Sequence, residues 1–493
     1  MPHFRFHNLI AVLAIVLLGV ALVLLPWQHA LLLIVGAVGL LGLLSHPQLA
    51  LVGLAVSVPF GTLIRFPAGP LSLTATDLLV AALTAAWFAR MTAQRRIIVS
   101  RPTLLVPLIA FLGAISFSSL ASTSLAPAVK EISKWAQVLV VYLFITQCLD
   151  QRWARWVIAA LILAGSAEAL TGIYQFVRRV GPEGFLLFGR FMRAYGHFDQ
   201  PNPFAGYLGL SLPLAYALSW EAVSSCRKPT PRASNQLGPE ATSFILGPRI
   251  PACLLGLGLV VSFLLMAAAA VMSWSRGAWV GIAAALTVVT VVRSRSALML
   301  TLAGAIALTY VLAVGGAAYL PPSLLQRVSD FFPYIGGVDV QATQVDDANF
   351  AVLERMAHWQ AALGMFGDHP WTGVGIGNYA VAYPRYALGR WQDPLGHAHN
   401  YYLNVAAETG LVGLLAFLAL LASCFVHTLR AVGRSQGYWR AVSLGALGLL
   451  VHLATHNLFD NLFVHGMHIQ LALLLGLTLT AQGETGTCDA HRD

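Results

Sequence analysis

Three residue types carry the chemistry that this sequence could do: arginine forks, one histidine at a helix start, and a few carboxylates inside apolar runs. Arg276 sits in SRGAW at the end of an apolar run. A guanidinium there is costly unless paired, and its planar fork matches phosphate oxygens in a bidentate way. Interface snorkelling or an ion pair is the blander alternative. Arg355 lies in ERMAHW, where its spacing to His358 and Trp359 puts all three on one helical face. Taken alone, that spacing reads more simply as a solvated face beside Glu354. His399 opens a later apolar run, with Asn400 suited to cap the helix. A helix start offers free N–H groups and partial positive charge. An imidazole, with an ordinary pKa of about 6.5, can act there as general base. His397 could make a metal pair with His399. The chain has no third ligand at a recognisable spacing such as HExxH, so neither metal nor cofactor is expected.

Asp77, Glu168 and Glu408 interrupt apolar runs and should face a bundle interior. Pairing with arginines is the simplest expectation for them, although Glu408 could also orient the helix that His399 opens. The stretch from His456 to His468 (HNLFDNLFVHGMH) could line an acceptor path, but packing is the plainer reading. It repeats the His-Asn pair of 399–400 at 456–457. GVGIGN (Gly373 to Asn378) follows no strand and is not GxGxxG, so it reads as a tight turn. No Walker A sequence is present.

These residues must be held by membrane helices. Of 493 residues, 58% are hydrophobic and 10% charged, and the mean hydropathy is +0.73. Soluble proteins carry about 25% charged residues. Apolar runs recur at about 30–44, 48–64, 72–89, 103–120, 135–149, 153–176, 203–222, 251–272, 278–293, 296–318, 400–429, 441–459 and 464–481, after a first run that follows MPHFRFHN. With about 20 apolar residues needed per span, this predicts an all-α polytopic protein of about 12–14 transmembrane helices. The runs are too long and too evenly apolar for barrel strands.

Arginines in the short loops (Arg90 to Arg101, Arg152 and Arg155, Arg227 to Arg249, Arg293 and Arg295, Arg430 to Arg440) fall on one side if both termini are cytoplasmic. The formal charge of +9 is therefore a topology signal, not a nucleic-acid one. The five cysteines show no metal spacing and would lie inside or within spans, which argues against disulfides. Segments 177–202, Ser273 to Trp279 and 321–398 then face outward. They carry Arg178, Arg179, Arg190, Arg193, Arg276, Arg327, Arg355, Arg385 and Arg390 against the topology rule, and an anionic substrate explains them most simply. The expected organisation is a bundle over 1–320 with an inner loop at 223–250, a lid over 321–398, closing helices over 399–482 and a tail over 483–493. Within the lid, Asp347 or Asn349 should cap a helix that stops at Gly367 or Pro370.

SRGAW, ERMAHW, DHPWTGVGIGNY, the pair His399–Asn400 with Gly410 beyond it, and the earlier RAYGHFDQPNPFAGYL together resemble the O-antigen ligase superfamily. That superfamily also includes O-antigen polymerases and bacterial protein O-glycosyltransferases. The resemblance spans roughly residues 190–465. It implies a C-type membrane glycosyltransferase fold and a metal-free reaction outside the inner membrane. The donor would be a glycan on undecaprenyl pyrophosphate, and the acceptor a glycan, lipid A-core or protein hydroxyl. By the same resemblance Arg276 and Arg355 bind the donor pyrophosphate, with Arg193 a weaker candidate, and His399 is the base. His358, Asn400, Glu408 and Asp77 are possible supports. A lipid-linked sugar flippase is the rival class. It should have inverted repeats and midplane charges, whereas these charges cluster towards one face.

Overall fold

The computed structural model describes residues 45–68, 71–95, 101–227, 252–314, 339–346 and 349–480, with a few isolated positions before 45. The first expected span, most of the second, most of the inner loop, Arg327, Asp347 and the tail lie outside them. The rest is an all-α polytopic membrane protein. Its helices are α1 (Gln48–Phe60), α2 (Ala75–Ala93), α3 (Leu105–Ser118), α4 (Leu125–Cys148), α5 (Gln151–Arg178), α6 (Pro201–Arg227) and α7 (Ala252–Met272). They continue as α8 (Arg276–Arg293), α9 (Arg295–Ala313), α10 (Phe350–Asp368), α11 (Tyr379–Ala382), α12 (Tyr401–Arg434), α13 (Gly437–His456) and α14 (Met467–Thr480). Among them α5, α7, α8 and α12 are long and apolar enough to cross a bilayer by length and composition alone. Two small antiparallel hairpins were not expected: β1 (Arg65–Ala68) with β2 (Leu71–Thr74), and β3 (Leu186–Leu187) with β4 (Phe191–Met192).

The two ends of the bundle differ in chemistry. At one end Arg65 pairs with Asp199 at 3.3 Å, Ser118 Oγ donates to the Thr372 carbonyl at 2.9 Å, and the Tyr401 amide donates to the Asn457 carbonyl at 2.8 Å. This end gathers the segments that carry the unexplained arginines. At the other end Gln48 Nε2 donates to the Cys148 carbonyl at 3.1 Å and Arg293 Nη2 meets Glu221 at 3.0 Å. Cys226 and Cys253 form a disulfide there, with Cα atoms 5.7 Å apart. That corrects the expectation against disulfides. α6 and α7 run antiparallel, so the ends of the intervening segment meet although they are far apart in sequence.

The main irregularity is in α12, where Gly410 adopts φ +63° and ψ −162°, a conformation open essentially to glycine alone. Apolar surroundings do not tolerate unpaired backbone groups, and the strap from Pro370 to Gly375 supplies their partners. The Val374 and Gly375 amides donate to the Ala407 and Glu408 carbonyls at 2.9 Å each, and the Leu411 amide donates to the Pro370 carbonyl at 2.7 Å. Ser118 Oγ also donates to the Glu408 carbonyl at 2.8 Å. The strap is the continuation of α10, so α10 and the first turns of α12 are fixed to one another.

A Cβ at Gly410 would run into the Trp371 backbone, whereas one at Gly433, further along the same helix, would meet nothing within 4 Å. Gly410→Ala should therefore lower the thermal unfolding midpoint by several degrees, through about 1–3 kcal/mol of backbone strain. Gly433→Ala should leave it unchanged or slightly raised. Equal midpoints for the two variants would contradict this account of the break.

Candidate active site

The turn before α8 presents Arg276. Trp274 in that turn holds a left-handed backbone with φ +56°, and the Ser273 hydroxyl accepts from the Ser275 amide at 3.2 Å. Arg193 clamps the turn: its Nε donates to the Ser273 carbonyl at 2.8 Å and its Nη2 to Asn202 Oδ1 at 2.9 Å. The neighbouring Ala194 amide donates to the Met272 carbonyl at 3.0 Å. Ser275 stands at the N-cap of α8 without a side-chain capping bond. Arg276 thus leaves from the first residue of a helix whose amide end points the same way, an arrangement suited to an anion.

α10 faces that turn. Asn349 stands at its start as expected, but its side chain accepts from the Asp346 amide at 2.9 Å and donates to the Gln344 carbonyl at 2.9 Å, tying the loop and not the helix. Arg193, Arg276 and Arg355 line one cavity of about 560 Å³ between α8, α10 and α13, together with Trp359, His456 and Asp460. Arg355 Nε is buried without a hydrogen-bond partner. A buried donor left unpaired costs about 1–3 kcal/mol, so an acceptor placed against Arg355 Nε would be stabilising.

His399 stands directly behind the cavity wall. Its backbone is left-handed, φ +51°, which is uncommon for a non-glycine residue and clusters at functional sites. The Trp359 indole N–H donates to its carbonyl at 3.4 Å, and its amide donates to His397 Nδ1 at 3.1 Å. Both ring nitrogens are buried without a hydrogen bond. The nearest carboxylate oxygen is Asp460 Oδ1, 3.7 Å from His399 Nδ1 and 3.7 Å from His397 Nε2. These are ion-pair distances, too long for hydrogen bonds. Burial alone would raise the Asp460 carboxyl, but the imidazoles of His399, His397 and His456 outweigh it and hold the group well below the usual carboxylate range. Asn400 caps α12 as anticipated, accepting from the Leu403 amide at 3.1 Å.

Asp460 was not foreseen. The ligand atoms of His397, His399 and Asp460 lie within 4.8 Å of one another, so a third potential metal ligand exists where the sequence offered none. The signal available was the repeated His-Asn pair: the Tyr401–Asn457 backbone bond brings the two copies side by side. The remaining candidates lie apart from the cavity. His358 is buried, with Nδ1 2.9 Å from the Tyr379 hydroxyl and its ring stacked on Tyr383. Its centroid is 5.7 Å from that of His399, so it backs the site from outside the cavity. Glu408 Oε1 accepts from the Tyr379 amide at 3.0 Å and so braces the strap; it does not reach His399. Asp77 forms a capping box with Thr74 and accepts from Gln137 at 2.8 Å. Glu168 accepts from the His197 amide at 2.6 Å and faces His197 Nδ1 at 2.8 Å. The expectation that these three carboxylates pair with arginines is corrected: backbone amides, Thr74, Gln137 and the imidazole of His197 are their partners.

Residues 261–418 match a family model described as O-antigen ligase. Over this segment, less than half of the chain, the protein is similar to that family. The match contains Arg276, Arg355 and His399, while Arg193, His456 and Asp460 lie outside it. A search of curated proteins finds no match to the chain. The apolar helices mark an integral membrane protein, and the cavity is formed jointly by the matched segment and the helices on either side of it.

His397 and His358 are both pushed down to about 4, first by burial and then by the adjacent His399. Unfolded histidine titrates near 6.5. Their folded pKa values are depressed, so the stability they contribute is present above about 6.5 and is lost as pH falls towards about 4. Glu354, pushed up mainly by burial, acts in the opposite direction, so the comparison needs a variant. The unfolding midpoint of the wild type should fall between pH 7 and 5, and His358→Gln should flatten that fall. An identical slope in the variant would contradict the assignment.

Proposed function

We propose that this protein is a metal-independent, inverting glycosyltransferase. It moves a glycan from undecaprenyl pyrophosphate to an acceptor hydroxyl at the outer face of the inner membrane. The observation that carries the reading is the cavity shared by Arg193, Arg276 and Arg355, with the N-terminus of α8 opening into it and His399 behind the part of its wall made by Trp359 and Asp460. Cations and helix amides converging on one space suit a diphosphate.

The mechanism follows from these positions. Ionised Asp460 favours the His399 tautomer with its proton on Nδ1, leaving Nε2 to take the proton of the acceptor hydroxyl. The acceptor oxygen then attacks the anomeric carbon from the face opposite the diphosphate. Arg276 and Arg355 stabilise the charge that grows on the departing lipid diphosphate, which is preorganised electrostatic catalysis. Arg193 holds the Arg276 turn and adds charge to the same wall. No nucleotide is consumed, because the sugar–diphosphate bond is already activated.

The cluster of His397, His399 and Asp460 suits this role better than a metal. His397 Nδ1 accepts from the His399 amide, which leaves the proton of the neutral ring on Nε2, the atom that faces Asp460, and Arg355 lies within electrostatic reach of His397. A divalent cation beside fixed guanidinium charge is disfavoured.

The test uses purified protein in lipid nanodiscs with a lipid-linked glycan donor and candidate acceptors, scoring product against translocation. His399→Ala should lower transfer about 10²–10⁴-fold while lipid diphosphate still binds. Arg276→Ala and Arg355→Ala should each cost about 10²–10³-fold and weaken that binding. An alanine enzyme at position 399 working near the wild-type rate would remove the base assignment. EDTA should leave transfer intact; loss restored by a divalent ion would make the histidine–aspartate cluster a metal site.

A further inference from the structure

Two imidazoles sit where three helices cross, and neither has a part in the reaction described so far. On α13, His456 Nδ1 lies 3.4 Å from His452 Nε2, and both side chains are buried. Room for them is made by missing side chains on α8. A Cβ at Gly281 would lie 2.7 Å from His452 Nδ1, and one at Gly277 would lie 3.0 Å from His456 Cδ2 and 3.2 Å from His456 Nε2. On the opposite side, a Cβ at Gly209 of α6 would overlap the His452 ring. Burying two polar rings in this way is unfavourable unless their polar atoms have partners.

The orientation of His456 identifies what it can do. Its Nδ1 edge faces His452 and its Cδ2–Nε2 edge faces Gly277, the residue after Arg276. His456, Arg276 and Gly277 all line the arginine cavity. An anion resting on the first turn of α8 would therefore lie against the Nε2 side of this ring. A neutral imidazole carries one N–H, and the hydrogen bond made by one nitrogen decides which nitrogen bears it. If His452 Nε2–H donates to His456 Nδ1, the proton of His456 is on Nε2, towards the cavity.

We propose that His456 is a neutral hydrogen-bond donor to the bound diphosphate through Nε2–H, and that His452 is a positioning residue that fixes this tautomer. The proposal rests on the diphosphate reading of the cavity and adds to it a donor that carries no charge of its own. A neutral imidazole polarising an oxyanion is a known way to stabilise developing charge without proton transfer. No bond to hydrogen is broken at His456.

The experiment measures binding of undecaprenyl diphosphate without glycan, and glycan transfer, for wild type, His456→Gln, His456→Leu and His452→Leu in nanodiscs. Unfolding midpoints control for packing. A lost hydrogen bond to a charged group corresponds to roughly 10- to 100-fold. His456→Leu should lose about that much diphosphate affinity and a similar factor in transfer. His456→Gln, which keeps an N–H donor, should recover most of both. His452→Leu should show a smaller loss of the same pattern. Leu at 456 binding diphosphate as tightly as the wild type would overturn the proposal. So would Gln and Leu being equally defective, which would make the ring a packing element. Wild type that binds the lipid diphosphate but never transfers glycan would sink the enzymatic reading alone, leaving the His456 comparison interpretable.

Discussion

The break in α12 at Gly410 is the constraint on which the rest of the site depends. A helix interrupted in apolar surroundings must find partners for its freed carbonyls, and here one strap provides them. The Val374 and Gly375 amides bond the Ala407 and Glu408 carbonyls, and the Leu411 amide bonds Pro370. The strap leaves α10, which carries Arg355, and grips α12, which His399 opens. The elements that carry Arg355 and His399 are thereby tied to one another through backbone hydrogen bonds. Glu408 reinforces the same joint by accepting from the Tyr379 amide.

The second half of the site is built by close helix approach. The turn carrying Arg276 is clamped by Arg193 through the Ser273 carbonyl, and α8 then runs against α13 where glycines leave room for His452 and His456. Asp460, one turn beyond His456, reaches back to His399 and His397. The cavity is thus enclosed by elements that are distant in sequence: 193, 276, 355 and 456–460. Two left-handed non-glycine residues, Trp274 in its lining and His399 behind its wall, stand where backbone strain is tolerated because the surrounding structure fixes it.

Much of this was readable from residue types. Arg276 stood out because charge near lipid needs a reason, and His399 with Asn400 because a polar pair at a helix start has a capping geometry; Arg355 stood out only through the resemblance of ERMAHW to the ligase superfamily. Asp460 was not readable as a partner of His399, because α12 and α13 separate them and no spacing rule connects them. The repeated His-Asn pair held the only hint. The carboxylates at 77, 168 and 408 were misassigned to arginines because their actual partners are mostly backbone amides, which every residue offers and no sequence marks. The disulfide between Cys226 and Cys253 was missed for a similar reason: only the antiparallel course of α6 and α7 brings the two thiols together.

The most direct measurement of the central claim is a cryo-electron microscopy structure in nanodiscs saturated with undecaprenyl diphosphate. The account predicts the diphosphate between the guanidinium groups of Arg276 and Arg355 at the N-terminus of α8, with His456 Nε2 against one of its oxygens and His399 facing the position of the departed sugar. Diphosphate bound elsewhere, with the arginine cavity empty at saturation, would contradict it.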